Sequence, residues 1–454
     1  MEIQRKVYNK LLAWKKECNG SKALMIEGAR RIGKSTLAEK FGKENYKSYI
    51  LIDFNKASKK IKDNFENLLN LDLFFQTLSL EYNTKLFNRN SLIIFDEIQK
   101  FPRAREAIKY LVQDGRYDYI ETGSLISIKE NVNEITIPSE ERKLKMYPVT
   151  LEEFMTAKGE ELLLEYIQDC WDKKIPLEQK SHAKAMHIFR EYMLVGGMPK
   201  SVVAYLENGL DFEKSDMEKR DILNLYRDDI KKAAKKYNSK VSALFENIPA
   251  YLSTHEKKVV LSQIEEGAVF DRYDEPLFWL DDSMICNLCY KCNDPCVGFA
   301  LNKNESALKC YMGDTGLLVS LAFSENEISS QQLYKSIMDG KLSLNEGMLY
   351  ENMIAQIIAS TGRKLYFYTH YSAEKKRNDM EIDFLLSNES KLNFKVYPCE
   401  VKSSKNYTAT SLFAFNDKFG KKIDTSYIIH PKNLSFEDGI VKLPPYMFHC
   451  AFGE

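Results

Sequence analysis

Short apolar runs alternate with amphipathic stretches through the first 150 residues of the chain. Residues 1 to about 18 place apolar side chains at helical spacing, and five later runs have the length of buried strands: 22–27, 49–54, 91–96, 117–124 and 144–149. Continuous apolar runs are typical of strands that are covered on both faces of a parallel sheet. Because helix-like stretches separate them, we expect a doubly wound α/β domain over residues 1–150.

From residue 151 the apolar positions mostly follow helical spacing. Residues 196–199, Gly-Gly-Met-Pro, interrupt this pattern as a helix stop followed by a turn. Two apolar runs, 277–280 and 297–301, predict strands, and helices followed by a hairpin predict a winged-helix module within a middle domain of residues 151–330. Such modules either bind duplex DNA or serve only for packing, and the sequence leaves both alternatives open.

Residues 28–35 read Gly-Ala-Arg-Arg-Ile-Gly-Lys-Ser and fit the phosphate-binding loop G-x-x-x-x-G-K-[ST] at every defined position. A strand-like run precedes the motif and a helix-like stretch follows it, which disfavours a chance match in an ordinary turn. We expect Lys34 to reach the β- and γ-phosphates of ATP and the Ser35 hydroxyl to bind Mg²⁺. The expected nucleotide-binding residues are Gly28, Ala29, Arg30, Arg31, Ile32, Gly33, Lys34, Ser35 and Thr36.

The apolar run at 91–95 leads into Asp96 and Glu97, a Walker B pattern. We expect Asp96 to hold Mg²⁺ and Glu97 to act catalytically by polarising the attacking water. The acidic residue after Asp96 indicates the branch of P-loop ATPases, including the AAA+ proteins, that has an added strand between the two Walker strands. Thr122 and Ser124 follow the next strand-like run, where a polar side chain contacts the γ-phosphate or the water.

ATPases of this type often need an arginine from a neighbouring subunit to neutralise charge in the transition state. Arg142, just before the fifth run, and Arg227, within the helical region, are the candidates. Most arginines are solvated surface residues, so each carries the alternative of having no such role. A homo-oligomer is one hypothesis that these candidates raise.

Length, composition and charge further limit the class of protein that the chain can belong to. The chain has 454 residues, 44% of them apolar, and 65 basic residues balance 65 acidic ones. This length predicts two or three domains, and no run approaches the ~20 apolar residues of a membrane-spanning helix. Because residues 1–8 also lack the apolar core of a secretion signal, we expect a cytoplasmic protein without a membrane partner. A net charge of zero neither favours nor excludes DNA or RNA as a partner.

Four of the nine cysteines follow metal-like spacing: Cys286, Cys289, Cys292 and Cys296. The spacing equals that of a bacterial iron–sulfur run, but the proline precedes the last cysteine and no second set accompanies it. Alternation over residues 285–290 also fits a strand whose cysteines are small apolar fillers. A zinc or iron–sulfur site and a purely structural role both remain open.

Acidic residues and a lysine mark two strand-like runs within a predicted third domain, residues 331–454. Asp383 lies within the first run, residues 377–386, and Glu400 and Lys402 flank Val401 in the second; Glu351 lies on the preceding helix. This order resembles the D…(D/E)-x-K core of restriction-endonuclease-like nucleases. There, Asp383 and Glu400 would hold a divalent cation, Mg²⁺ or Mn²⁺, Lys402 would activate water or stabilise charge, and Glu351 would complete the catalytic site. A surface ion-pair patch and a nuclease-like fold that binds without cleaving are the alternatives.

The chain as a whole resembles a bacterial and archaeal family of AAA+-type ATP-binding proteins with a C-terminal restriction-endonuclease-like domain formerly of unknown function. The matching motifs extend over nearly its full length: 28–35, 95–97, 122–124, 147–154, 196–199, 314–318, 351–352, 381–383 and 400–402. The resemblance implies ATP binding with hydrolysis as an expected activity, and the family pattern has no cysteine cluster at 286–296.

Three hypotheses follow. In the first, the nucleotide state of a Mg²⁺-dependent ATPase controls a C-terminal nuclease that acts on nucleic acid. In the second, ATP operates a switch or remodeller whose C-terminal domain binds DNA or a protein partner without cleaving. In the third, the ATPase is a motor that works as a ring of subunits.

Overall fold

A computed structural model describes residues 1–66, 68–124, 138–233, 237–325, 330–339, 346–374, 376–387 and 395–453. Contacts among these residues divide the chain into two compact units. The smaller unit contains residues 5–147 and 282–284, and the larger one contains residues 1–4, 148–281 and 285–454. The segments that the sequence assigns to a middle and a C-terminal domain both lie in the larger unit.

The smaller unit is a parallel sheet with helices, as the apolar runs predict. Its strands follow the spatial order β2-β3-β4-β1-β5 and all pair in parallel. Because β4 lies between β1 and β3, the two strands that carry the Walker motifs are separated by one strand. The elements are α1 (Val7–Cys18), β1 (Ala23–Glu27), α2 (Lys34–Asn45), β2 (Ser48–Asp53), α3 (Lys59–Asn64), α4 (Leu71–Glu81), β3 (Ser91–Asp96), α5 (Pro102–Asp114), β4 (Asp118–Gly123) and β5 (Glu141–Lys145).

The fifth strand begins and ends earlier than the run at 144–149 predicts. Strand β5 pairs with β1 from Glu141 opposite Ala23 to Lys145 opposite Glu27. It is an edge strand with largely exposed side chains, so its sequence is polar and gives no apolar run. Pro148 has no N–H to donate to a strand ladder, which accounts for the end of the pairing before this residue.

The larger unit begins with a series of helices that agrees with the helical spacing after residue 150. They are α6 (Leu151–Ala157), α7 (Glu161–Asp172), α8 (Gln179–Val195), α9 (Pro199–Glu207), α10 (Phe212–Ala233), α11 (Asn238–Glu246), α12 (Ile248–Ser253) and α13 (Asp274–Asp282). Helix α8 ends at Gly196, whose φ of 79° an L side chain rarely adopts, and α9 begins at Pro199. The predicted helix stop and turn at 196–199 are therefore confirmed.

Two sheets form the rest of the larger unit. One has the order β7-β6-β8-β9 and the other β10-β11-β12-β14-β13. Their strands are β6 (Cys286–Cys292), β7 (Lys303–Met312), β8 (Leu365–Ser372), β9 (Arg377–Ile382), β10 (Phe384–Ser387), β11 (Val396–Val401), β12 (Ser426–Ile429), β13 (Ser435–Glu437) and β14 (Ile440–Leu443). The helices are α14 (Thr315–Ala322), α15 (Gln331–Met338), α16 (Glu346–Ser360), α17 (Thr410–Phe419) and α18 (Phe448–Phe452).

The two strands predicted between residues 277 and 301 are wrong. Residues 277–280 lie within helix α13, and residues 299–302 form a single 3₁₀ turn. Two acidic residues in the first turn and the buried pair Leu277 and Leu280, three positions apart, are helix features that the short apolar run concealed. Strands β6 and β7 do form a hairpin, but β6 also pairs in parallel with β8, so the hairpin is part of a larger sheet.

Helix α16 and the strands after it position the C-terminal acidic residues. The chain order is α16, β8, β9, β10, β11, α17 and β12, with β11 parallel to β12 and antiparallel to β10. Asp383 lies at the bend between β9 and β10, while Glu400 lies on β11 and pairs in register with Ile428. Among the helices in the described parts of the chain, none is long and apolar enough to cross a membrane.

Candidate functional sites

The loop between β1 and α2 turns tightly at two positions. Gly33 has a φ of 92° and Arg31 a φ of 71°, so both adopt the left-handed region. At Gly28 a Cβ atom would lie 2.4 Å from the carbonyl oxygen of Met146, so a residue with a side chain would clash there. The predicted strand, glycine-rich turn and helix are therefore present, and the loop meets the N-terminus of α2. Ile32 anchors the loop in the core, whereas Arg31 is exposed.

Lys34 folds back over this loop. Its Nζ atom donates hydrogen bonds to the carbonyl oxygens of Gly28, at 3.0 Å, and Ala29, at 2.9 Å. Burial lowers the pKa of Lys34 to about 8, although the nearby charges of Glu97 and Asp96 act in the opposite direction. An ammonium group held only by neutral carbonyls is available to an anionic phosphate group that enters the loop.

The side chains of Ser35, Asp96 and Thr122 meet at the carboxyl ends of the strands. The Ser35 hydroxyl donates to Oδ1 of Asp96 at 2.5 Å, and the Thr122 hydroxyl donates to the same oxygen. A hydroxyl next to a carboxylate is a suitable ligand set for Mg²⁺. The residues thus fit the expected ion: Ser35 and Asp96 would hold it, and it would neutralise phosphate charge.

Glu97 has an unusual backbone conformation for a glutamate, with a φ of 54°. Its N–H approaches the Thr122 hydroxyl at 3.4 Å, and its carboxylate accepts a hydrogen bond of 2.5 Å from Nε2 of Gln99. Such strain persists where surrounding contacts fix it, often at functional sites. Gln99, which the sequence analysis did not single out, therefore orients the predicted catalytic carboxylate.

The remaining nucleotide-site candidates do not join this cluster. Arg142 pairs in register with Leu24, three residues before the end of β1, and forms an exposed ion pair of 2.7 Å with Glu17. Arg227 forms a two-fold ion pair with Glu246 in the larger unit. Arg30 lies within the loop and is half-buried, whereas Thr36 follows the loop and is exposed.

A second group of charged residues lies in the larger unit and brings together the acidic residues of the predicted C-terminal site. Glu351, Asp383 and Glu400 are buried, with exposed fractions of 1%, 8% and 5%. Lys402 forms an ion pair of 2.6 Å with Oε1 of Glu400. Oδ2 of Asp383 accepts a hydrogen bond of 2.8 Å from the Val401 N–H, which ties the bend to β11.

Two lysines that the sequence analysis missed lie among these carboxylates. The Nζ atom of Lys309, on β7, is 2.8 Å from Glu351, 3.4 Å from Glu381 and 3.6 Å from Asp383. Lys257 binds the other oxygen of Glu351 at 2.6 Å. Both lysines precede residue 330, outside the segment that the motif drew attention to. We refer to Lys257, Lys309, Glu351, Glu381 and Asp383 as the lysine–carboxylate cluster.

Burial and the neighbouring charges shift the pKa values of the three buried carboxyl groups in opposite directions. Burial alone would raise the pKa of Glu351, but Lys309 and Lys257 lower it below its usual range. Burial and the charge of Glu351 raise the pKa of Asp383. Burial raises the pKa of Glu400 to about 7, although Lys402 acts against this shift. Glu351 is thus the carboxylate that the lysines hold ionised.

The lysine–carboxylate cluster does not fit a divalent metal ion as the motif predicts. Both oxygens of Glu351 and both oxygens of Asp383 already have partners on this chain. Among the described residues, no group of three or more His, Cys, Asp or Glu side chains is arranged to hold a metal ion. The one unsatisfied acceptor here is Oε2 of Glu400, which is buried without a hydrogen-bond partner within the described residues.

The four cysteines of the metal-like spacing lie on and just after strand β6. Cys286, Cys289 and Cys292 are buried on β6, and Cys296 lies beyond the end of the strand. Burial raises the pKa of the Cys286 and Cys289 thiols, so they stay protonated near neutral pH. Buried, protonated thiols on a strand pack as small apolar side chains, and among the described residues no group of three or more His, Cys, Asp or Glu side chains is arranged to hold a metal ion.

Three family models match separate parts of the chain. Residues 20–155 match an AAA domain, residues 186–328 match a domain of unknown function named DUF8612, and residues 346–446 match another named DUF4143. The smaller unit contains an AAA-type P-loop ATPase domain. ATP is therefore the implied ligand of Lys34 and its loop, and Mg²⁺ the ion that accompanies it. The lysine–carboxylate cluster draws its lysines from the DUF8612 match and its carboxylates from the DUF4143 match.

The chain is distantly similar to proteins of known structure. No curated protein matches the chain. Among solved structures, C. elegans PCH-2 is 12% identical, with 42% of this chain and 54% of that protein covered and a TM-score of 0.22. This chain thus spans about half the length of PCH-2. CDC6P from Pyrobaculum aerophilum is 11% identical over 74% of this chain and 95% of that one, with a TM-score of 0.26. We base no conclusion on likenesses at these TM-scores.

Proposed function

We propose that the protein hydrolyses ATP in a Mg²⁺-dependent reaction at the AAA domain. The proposal rests on one observation: the hydroxyls of Ser35 and Thr122 meet a single oxygen of Asp96, which lies close to Lys34. Lys34 binds the β- and γ-phosphates, and Ser35 and Asp96 hold the ion. Glu97 accepts a proton from the attacking water, while Thr122 and Gln99 position the groups around it.

Phosphate release from ATP tests this proposal. Lys34→Ala should abolish hydrolysis and strongly weaken nucleotide binding, because it removes the buried ammonium group that lies over the carbonyls of the loop. Lys43→Ala is the matched control, since Lys43 lies on the same helix and forms an exposed ion pair with Glu39. Hydrolysis that survives Lys34→Ala, with the protein free of contaminating ATPases, would contradict the proposal.

We further propose that the nucleotide state works as a switch and that the C-terminal region binds DNA or a protein partner without cleaving. The lysine–carboxylate cluster favours this hypothesis over a nuclease, because its lysines occupy the oxygens that a metal ion would need. Partner binding that depends on ATP and survives Asp383→Ala would support the switch. Binding that is the same with ATP, with ADP and without nucleotide would contradict it.

A metal-dependent nuclease is the second candidate. The order helix, four strands, helix and strand from α16 to β12 favours it, as does the Oε2 atom of Glu400, which is unsatisfied within the described residues. Incubation of DNA and RNA with the protein and Mg²⁺ or Mn²⁺ tests it. Cleavage that Lys402→Ala abolishes would establish the nuclease and exclude the non-cleaving switch.

A further inference from the structure

The lysine–carboxylate cluster has a fully buried cation at its centre. Lys309 has no exposed surface, and its ammonium group faces carboxylates from helix α16, strand β9 and the bend at Asp383. Carboxylates that converge from separate elements on one buried point are costly unless a positive charge compensates them. In this chain the compensating charge is an amino-acid side chain.

The carboxylate oxygens around Lys309 already have partners on this chain, which leaves them little capacity to coordinate a metal ion. Oε1 of Glu351 accepts hydrogen bonds from Lys309 and from the Tyr311 hydroxyl, and its Oε2 binds Lys257. Asp383 divides its two oxygens between Lys309 and the Val401 N–H. A divalent ion between Glu351 and Asp383 would have to displace Lys309 and leave that ammonium group buried without its partners.

Charge balance leads to the same conclusion. With Glu400 and Lys402 included, the region has four carboxylates and three ammonium groups, so its formal charge is about −1 when all of them are ionised. The three carboxylates keep Lys309 charged: burial alone would lower its pKa, but the attraction of Glu351, Asp383 and Glu381 outweighs burial and raises it.

We propose that Lys309 is an internal cation that takes the place of a divalent metal ion in the C-terminal site, with Lys257 as its support. This inference deepens the proposed non-cleaving role and rests on it. The lysines come from the segment before residue 330, so the acidic residues of the DUF4143 match are neutralised by residues outside that match. The site keeps its arrangement without added metal, and the ammonium group of Lys309 excludes a metal ion from it.

Mn²⁺ titration of the full chain without nucleotide, followed by electron paramagnetic resonance, tests the exclusion. The wild type and Asp383→Asn should give the same Mn²⁺ isotherm, because Lys309 and the Val401 N–H already face the two oxygens of Asp383. A stoichiometric Mn²⁺ ion that is present in the wild type and lost in Asp383→Asn would overturn the inference. This comparison requires no change at Lys309.

Removal of the internal cation should open the site. Lys309→Met should gain one Mn²⁺ ion with at least tenfold tighter binding than the wild type, and the added Asp383→Asn substitution should remove it again. Lys303→Met is the matched control, since Lys303 lies on the same strand and pairs with the exposed Glu305. A folded Lys309→Met protein that binds Mn²⁺ no more tightly than the wild type would overturn the inference.

These outcomes are distinct from those of the cleavage assay. If Lys309→Met does not fold, as judged by circular dichroism, the comparison of the wild type with Asp383→Asn decides alone. If the protein cleaves nucleic acid, the non-cleaving function fails whatever the Mn²⁺ isotherms show. If it does not cleave but binds Mn²⁺ through Asp383, only the internal-cation inference fails.

Discussion

Lys34 and Glu400 are buried ionisable side chains whose pKa values burial shifts towards neutrality. Lys34 donates to two carbonyl oxygens and not to a carboxylate, and burial lowers its pKa to about 8. Glu400 pairs with Lys402 through one oxygen, while its other oxygen has no partner within the described residues. Both side chains therefore change charge at pH values where binding and stability are readily measured.

The affinity for ATP should fall as pH rises above 8. The charged form of Lys34 binds phosphate, so ATP raises its pKa and binding takes up a proton at alkaline pH. With a pKa of about 8 in the free protein, affinity should weaken roughly tenfold between pH 7 and pH 9, since one pH unit above a pKa removes about 90% of the charged form. Calorimetric titration at pH 7, 8 and 9 measures this change. A pH-independent affinity would contradict it, and Lys34→Arg, which stays charged, should flatten the profile.

Glu400→Gln should stabilise the larger unit at pH 8. The pKa of Glu400 is about 7 in the folded protein and 4.5 in the unfolded chain, so the folded state binds the proton more tightly. The stability that this proton provides is complete below pH 4.5 and is lost as the pH rises through 7. Urea unfolding should therefore show a gain of about 3 kcal/mol for the variant at pH 8 and little difference at pH 4.5. Equal stabilities of the two proteins at pH 8 would contradict this expectation.

Residues within a local motif were predictable, and residues defined by tertiary contacts were not. The loop 28–35, Asp96 and Thr122 follow from strand ends and spacing, because parallel strands end at the same edge of a sheet. Lys309 and Glu351 are 42 positions apart, and no local pattern relates them. Gln99 was missed because its role depends on the left-handed conformation of Glu97.

At the scale of elements, β5 is an edge strand that side-chain contacts fix to the sheet. Arg105 of α5 binds Glu141 of β5 through two hydrogen bonds of 3.1 and 2.8 Å, and both side chains are 3% exposed. Burial and the charge of Glu141 raise the pKa of neighbouring Glu121, which has no hydrogen-bond partner within the described residues. The sequence predicted this strand at 144–149 and not at Glu141–Lys145, because an edge strand has no continuous apolar run that marks its start.

Arg105→Met should loosen β5. It leaves the Glu141 carboxylate buried without its partner, which costs about 3–5 kcal/mol in buried pairs of this kind. Hydrogen exchange of the amides of β1 and β5 should accelerate, because Ala23 and Glu141 pair along this edge. Arg105→Met combined with Glu141→Leu should restore much of the protection. Unchanged exchange in the single variant would show that the ion pair does not hold the strand.

At the scale of the molecule, the sequence predicted the parallel sheet of the ATPase domain and the strands that carry the C-terminal acidic residues. It failed for α13, where two acidic residues and a proline at the start of a short apolar run favour a helix. It did not predict the lysines that pair with the C-terminal carboxylates, because these lysines, and strands of the same sheet, come from before residue 330. The motif thus located the carboxylates of the cluster but not the lysines that neutralise their charge.

ATP turnover by Glu97→Gln is the most direct test of the central claim that the AAA domain hydrolyses ATP through Asp96 and Glu97. The substitution keeps the side-chain shape and the contact with Gln99 but removes the base. The rate of phosphate release should fall at least ~100-fold, while the dissociation constant for ATP stays within about threefold of the wild type. Hydrolysis by Glu97→Gln at the wild-type rate, or no hydrolysis by the wild type with Mg²⁺, would contradict the account.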